Sequence, residues 1–183
     1  MKKQLQRFAF AVSATLFFSL SSSAQLKVVI VRHGEKPPKG DNLSCQGFNR
    51  SKLLPPVLYK ACGGVPNYTF VPTMKTGKST SSVRMFQTVT PFAVQYNLKI
   101  DTRYAETDTI KAAAEIVKKT GVVLMVWEHG NIPGLARNMG VPDVPDWKGS
   151  DFDSMWIIEF PAGGGTPTLT IAQEGLKPSA ICK

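Results

Sequence analysis

The sequence predicts an α/β fold, a three-layer α/β/α sandwich with a mostly parallel central sheet, and three observations carry that prediction. "LKVVIV" (26–31) and "VVLMVW" (122–127) are unbroken apolar runs of strand length rather than alternating ones, the pattern of strands covered on both faces. Segments of strand and helix character alternate through most of the chain, as a helix-covered sheet requires. Both runs are closely followed by a histidine–glycine pair, His33-Gly34 and His129-Gly130, and the chain has only these 2 histidines.

Taken in order, residues 1–24 stand apart. Lys2, Lys3 and Arg7 precede an apolar stretch from Phe8 to Leu20 and the small run "SSSA", the pattern of a secretory signal peptide cut after Ala24. Residues 25–183 then form a single domain, which is expected to be exported, to a periplasm or outside the cell, with a leader of bacterial type. "LKVVIV" is its first strand, central in the sheet. "LSCQGFNRSKLL" (43–54) is a helix capped by Ser44 and expected to end at Pro55 and Pro56. "NYTFVPT" (67–73) is a strand. "SSVRMFQTVTPFAVQY" (81–96) is a helix with Val83, Phe86, Val89 or Thr90, Ala93 and Tyr96 on its apolar face, and Pro91 is expected to kink or restart it.

"TDTIKAAAEIVKKTG" (107–121) is a helix capped by Asp or Thr, with lysines in its last turn and Gly121 just past its end. The second buried strand "VVLMVW" follows, then a Pro/Gly-rich loop, and two more strands, "MWIIEF" (155–160) and "TLTIAQ" (168–173). The turn between them, "PAGGGTP", lacks a phosphate-loop lysine. No later stretch is long and apolar enough for a transmembrane segment in the mature chain.

Without Lys2, Lys3 and Arg7 the charge falls from +9 to +6, and the basic residues form no block interleaved with aromatics. That argues against a nucleic-acid surface and for a local site that takes an anion. Cys45, Cys62 and Cys182 allow one bridge and leave one thiol over; the three pairings stay open, with a bridge involving Cys62 leaned to. No Cys-x-x-Cys spacing points to zinc, and no metal or cofactor is expected. The oligomeric state is not legible.

In an open α/β sheet the ligand site lies beyond the carboxyl ends of the strands, where both histidines fall. A neutral imidazole can attack phosphorus and split one displacement into two easier steps. A neighbouring cation such as Arg32 favours the neutral ring, and its guanidinium can hold two phosphoryl oxygens. Lys36 and Lys39, on the loop after His33, would draw in anions.

Here the sequence resembles a known family. "VVIVRHGEKP" (28–37) is similar to the signature of the histidine phosphatase superfamily, the phosphoglycerate mutase-like fold. "LSCQGFNRSKLL", "SVRMFQTVTPFA" (82–93), "LMVWEHGNIP" (124–133) and "FDSMWII" (152–158) resemble further family segments in the expected order. The resemblance implies His33 as a nucleophile that becomes phosphohistidine, Arg32 and Arg84 as phosphate-binding arginines, and His129 as a donor to a phosphoryl oxygen. It places the general acid between Arg84 and His129, where "TRYAETD" offers Glu106, taken first, or Asp108; Gly130 and Asn131 replace the aspartate that acid phosphatase branches carry after the second histidine. Glu35 and Glu128 flank the histidines and could tune charge or touch the leaving group.

Arg84 follows His33 by 51 positions and His129 follows Arg84 by 45, which leaves no room for a large cap domain. The implied activity is metal-independent hydrolysis of a small phosphorylated substrate (a sugar, lipid-linked sugar or protein phosphate). A phosphoryl transferase and a non-catalytic phosphoanion-binding or phosphosugar-binding module of the same fold are the alternatives.

Overall fold

The computed structural model describes residues 26–182. The expected leader and its cleavage point lie outside them. The described chain runs β1 (Leu26–Arg32), α1 (Cys45–Cys62), β2 (Tyr68–Phe70), α2 (Arg84–Tyr96), β3 (Ile100–Asp101), α3 (Thr109–Ile116), β4 (Gly121–Trp127), α4 (Ile132–Asn138), β5 (Ser154–Glu159) and β6 (Thr168–Gln173). These strands form a 6-stranded sheet in the order β3-β2-β4-β1-β5-β6. The pairs among β1 to β4 are parallel, whereas β5 and β6 pair antiparallel.

Alternate residues of β1 and β4 feed two separate cores, which explains why neither strand alternates in polarity. Val29, Val31, Leu124 and Val126 pack under α1 and α2 with Leu54, Leu58, Met85 and Phe92. Val28, Ile30, Val123 and Met125 pack on the opposite face with Ala113 and Ile116 of α3 and Leu135 of α4. Each fully buried Val, Leu or Ile side chain contributes about 1.5–3 kcal/mol. The helix after β1 and the helix after β4 therefore leave toward opposite faces, and the gap between them opens at the carboxyl ends of these two strands.

Several local expectations are corrected. Pro55 and Pro56 do not end α1, which runs to Cys62 and closes on Gly63 in the left-handed conformation, at φ 72°. The prolines remove the donors that would meet the carbonyls of Ser51 and Lys52, but Leu54 and Leu58, both fully buried, hold the helix to the sheet on either side of them. Pro91 likewise lies within a continuous α2, between buried Val89 and Phe92. The buried face of α2 is Met85, Thr88, Val89, Phe92 and Ala93, rotated from the expected stripe so that Thr88 points inward.

The helix α3 stops at Ile116, so Lys118 and Lys119 lie in the following turn. Gly121 is the first residue of β4 rather than a helix terminator. Its φ is 82°, and a Cβ there would stand 2.3 Å from Asn67 Oδ1. The Pro/Gly-rich loop after β4 contains α4, whose proline at Pro133 falls in the first turn, where its missing N–H costs no helical bond. The two-residue strand β3 was too short to leave a pattern in the sequence.

The bridge joins Cys45 to Cys182, and Cys62 is a free, buried thiol, against the expected bridge at Cys62. Cys62 faces the core under α1, with burial pushing its pKa up to about 12, while Cys45 sits at the helix start where the C-terminal segment returns. Asn49 holds that segment as well, its side-chain amide donating to Ser179 O and Ile181 O at 2.9 Å each. No helix among the described residues is long and apolar enough to cross a membrane.

Candidate active site

The parallel register of β1 and β4 pairs Arg32 with Trp127, and the His33 amide adds one more bond, to Trp127 O at 3.1 Å. Two adjacent strand ends thus deliver both histidines to one place. One side-chain atom each from His33, Glu128 and His129 lies within 4.8 Å of the others.

The His33 ring is almost wholly buried, and its Nδ1 lies 2.7 Å from Gly34 O. A carbonyl only accepts, so this contact requires the proton on Nδ1 and leaves the Nε2 lone pair free. Burial first, then the cations of Arg32 and Arg84, lower the His33 pKa to about 4, although the bond to Gly34 opposes them. The ring is neutral at neutral pH. NMR titration of the ring protons should show this directly: one imidazole has a midpoint near pH 4, and His129→Gln removes the other imidazole's signal while moving this midpoint upward, because the charge of His129 helps to lower it.

Arg32 is 2% exposed and held from the far side of the sheet. Its Nη1 donates to Gly149 O at 2.8 Å and Asp151 O at 2.9 Å, and its guanidinium lies 3.7 Å from the centre of the Phe152 ring. The antiparallel direction of β5 is what brings 149–153 to this end of the sheet. Asp151 fixes that loop by accepting from the amides of Asp153 and Ser154 at 3.0 and 2.9 Å. Burial lowers Arg32 to about 10, which still leaves it cationic at neutral pH.

Arg84 begins α2 at the open side of the site, with Nη1 donating to Gly40 O at 3.2 Å. Thr88, one turn on, accepts from the Gly34 amide at 2.9 Å and donates to Arg84 O at 2.8 Å. That residue ties the loop after β1 to the helix carrying Arg84. His129 is partly buried, with Nδ1 2.5 Å from Glu128 Oε1. Burial, then Arg32 and Lys36, hold it below the ordinary histidine range against the pull of Glu128. A phosphoryl dianion among these groups would reverse that balance and favour a protonated, donating His129.

The remaining charged residues divide. Lys36 is exposed at the mouth, near enough to act on His129. Glu106 stands at the rim: its carboxylate accepts from Ser82 Oγ at 3.4 Å, and its carbonyl accepts from Trp127 Nε1 at 2.9 Å. The structure does not bring it into the His33–Glu128–His129 group. Asp108 precedes α3 and accepts from the Ala105 amide at 3.2 Å.

Of the two roles expected for Glu35, touching the leaving group does not fit, whereas tuning charge does, since its carboxylate acts through space on Arg32. Both its oxygens accept from Arg50, at 2.8–3.1 Å, beneath the site. Arg50 also donates to Glu174 Oε2 at 2.5 Å and lies 3.8 Å from Asp153 Oδ1. Three carboxylates thus share one guanidinium, and burial pushes Glu174 up to about 7. The backbone of α1 packs tightly here: a Cβ on Gly47 would stand 2.3 Å from Glu35 O, and one on Gly34 2.8 Å from Gly47 O. The glycine in "LSCQGF" and the one after His33 let the helix and the loop after β1 meet backbone to backbone.

Chemically, the site offers a neutral imidazole with a free Nε2, two guanidiniums and a second imidazole. This donor set is complementary to a tetrahedral oxyanion. His33, Glu128 and His129 have a spacing that could also hold a metal ion, but Arg32 and Arg84 border the same space and favour an anion. Sequence reasoning missed Gly149, Asp151, Phe152 and Thr88. A usable sign was the place of "GSDFD" just before a strand that returns beside β1.

No family model matches the chain, and no curated protein matches it. Solved structures do. The protein histidine phosphatase SixA complexed with tungstate is 16% identical with a TM-score of 0.60, covering 81% of this chain and 97% of that one. The mycobacterial glucosyl-3-phosphoglycerate phosphatase with inorganic phosphate is 15% identical with a TM-score of 0.59, covering 82% and 99%. A phosphoglycerate mutase from Bacillus anthracis is 13% identical with a TM-score of 0.51, covering 83% and 93%. These likenesses show the fold, a phosphoglycerate mutase-like α/β sandwich.

Proposed function

We propose that the chain is a phosphatase that hydrolyses phosphomonoesters through a phosphohistidine on His33. The observation that carries this reading is the tautomer: Nδ1–H is committed to Gly34 O, so Nε2 presents its lone pair beside Arg32, Arg84 and His129. Nε2 attacks phosphorus in line, the ester P–O bond breaks, and the leaving oxygen takes a proton from an acid. Water then attacks the phosphohistidine, the P–N bond breaks, and the proton returns to that acid as phosphate leaves. Arg32, Arg84 and protonated His129 balance the charge on the equatorial oxygens, and Lys36 draws the anion in. The structures similar in fold include phosphatases, one with inorganic phosphate and one with tungstate, which supports the reading.

Glu106 is the proposed acid, reaching the leaving oxygen by turning away from Ser82. Glu106→Gln should slow hydrolysis of poorly activated alkyl phosphates much more than of 4-nitrophenyl phosphate, whose leaving group needs little protonation. Steady-state rates on both substrates check this, and equal slowing would transfer the role to another group, with Glu128 the nearest. The placement of Glu106 outside the His33–Glu128–His129 group favours one second reading, a module that binds phosphoanions without turnover. Phosphate release by the chain from Gln25 to Lys183, tested across phosphomonoesters, separates the two.

Export is also proposed. The leader pattern of residues 1–24 supports it, as does the Cys45–Cys182 bridge, which suits an oxidising compartment. N-terminal sequencing of the protein from its native cells should read from Gln25.

A further inference from the structure

A groove of about 710 Å³ opens beside His33, and its two walls come from distant parts of the chain. One wall is the loop after the nucleophile and the start of α1, with Lys36, Pro37, Pro38, Leu43 and Gln46. The other is Phe152 and Ala180. Phe152 joins the groove to the reacting centre, because its ring lies over Arg32 and 6.3 Å from the His33 ring, edge to face. Ala180 belongs to the C-terminal segment that Asn49 and the Cys45–Cys182 bridge fix against α1.

The lining is mainly apolar. Its carboxylate, Glu35, is engaged by Arg50, so Lys36 leaves the mouth with a net cation. The size falls within the range of small-molecule sites. We infer that this groove is a leaving-group subsite, that it selects phosphomonoesters of extended, mainly apolar alcohols or phenols, and that the Cys45–Cys182 bridge holds one of its walls in place. This inference rests on the proposed hydrolase reading. A phosphoryl group seated between Arg32 and Arg84 would have its ester oxygen leave toward open space, and the groove is the walled space that shares Phe152 with that seat.

The test compares a compact and an extended substrate, acetyl phosphate and 3-hydroxy-2-naphthanilide phosphate. Ala180→Trp, which fills the groove from an exposed backbone position, should raise KM for the naphthanilide ester about tenfold and leave acetyl phosphate within about twofold. The pair Cys45→Ser with Cys182→Ser frees the wall and should shift the same substrate alone. Equal shifts for both substrates, or none, would overturn the subsite. Binding of the released 3-hydroxy-2-naphthanilide, followed by calorimetry, needs no turnover: binding weakened by Ala180→Trp supports the subsite, and absence of binding to the unaltered chain overturns it. A chain that bound this alcohol yet cleaved neither ester would refute the hydrolase reading instead.

Discussion

Replacing His33 with Ala should lower turnover of every phosphomonoester by on the order of a thousandfold or more, the scale expected when a covalent nucleophile is lost. Inorganic phosphate should still bind, since Arg32 is held by Gly149 O, Asp151 O and Phe152 rather than by the imidazole. Rapid quench of the unaltered chain with a radiolabelled substrate should trap a phosphoenzyme that acid destroys and alkali preserves, and the variant should give none. Retained turnover in His33→Ala would overturn the covalent mechanism. Loss of phosphate binding together with turnover would show that the ring seats the ligand as well as attacking it.

The second large effect concerns stability. Arg50→Met should destabilise the fold by about 3–5 kcal/mol, because it strands buried carboxylates that now share one guanidinium. Urea unfolding at neutral pH measures this loss. Adding Glu35→Gln and Glu174→Gln to Arg50→Met should recover much of it, since the stranded charges are then gone. Glu174 sets a pH dependence of its own. Its folded pKa is raised to about 7, so its contribution is fully present below about pH 4.5 and is lost as pH rises through 7. A loss below about 1 kcal/mol for Arg50→Met would mean that the cluster is hydrated rather than buried.

What the sequence made legible and what it hid have physical causes. The runs through Val28–Val31 and Val123–Val126 announced a doubly covered sheet because each residue meets one core or the other. That Arg32, His33, Arg84 and His129 meet at one place was legible because both histidines follow buried strands that pair in parallel and their spacing is fixed by the crossovers. The clamp on Arg32 was not, since two of its contacts are backbone carbonyls, and any residue at 149 or 151 carries a carbonyl. Glu35 looked chemical because it adjoins His33, yet its partner Arg50 lies 15 residues on and only the fold turns it inward. Pro55, Pro56 and Pro91 misled because a proline's local cost is visible in sequence, whereas the buried Leu54, Leu58, Val89 and Phe92 that offset it are visible only in the packing.

The place of β1 bears on how the chain acquires its shape. This strand leads the described chain and lies between β4 and β5, whose first residues are Gly121 and Ser154. Neither hydrogen-bonded neighbour exists until most of the polypeptide has been made, so early pairing can draw only on short segments such as the meeting of α1 with α2. During synthesis the strand that leads to His33 is the first of the sheet to emerge and among the last to be flanked on both sides. An uncovered run of branched apolar residues waits through that interval, the kind of exposed surface that sets aggregation against folding.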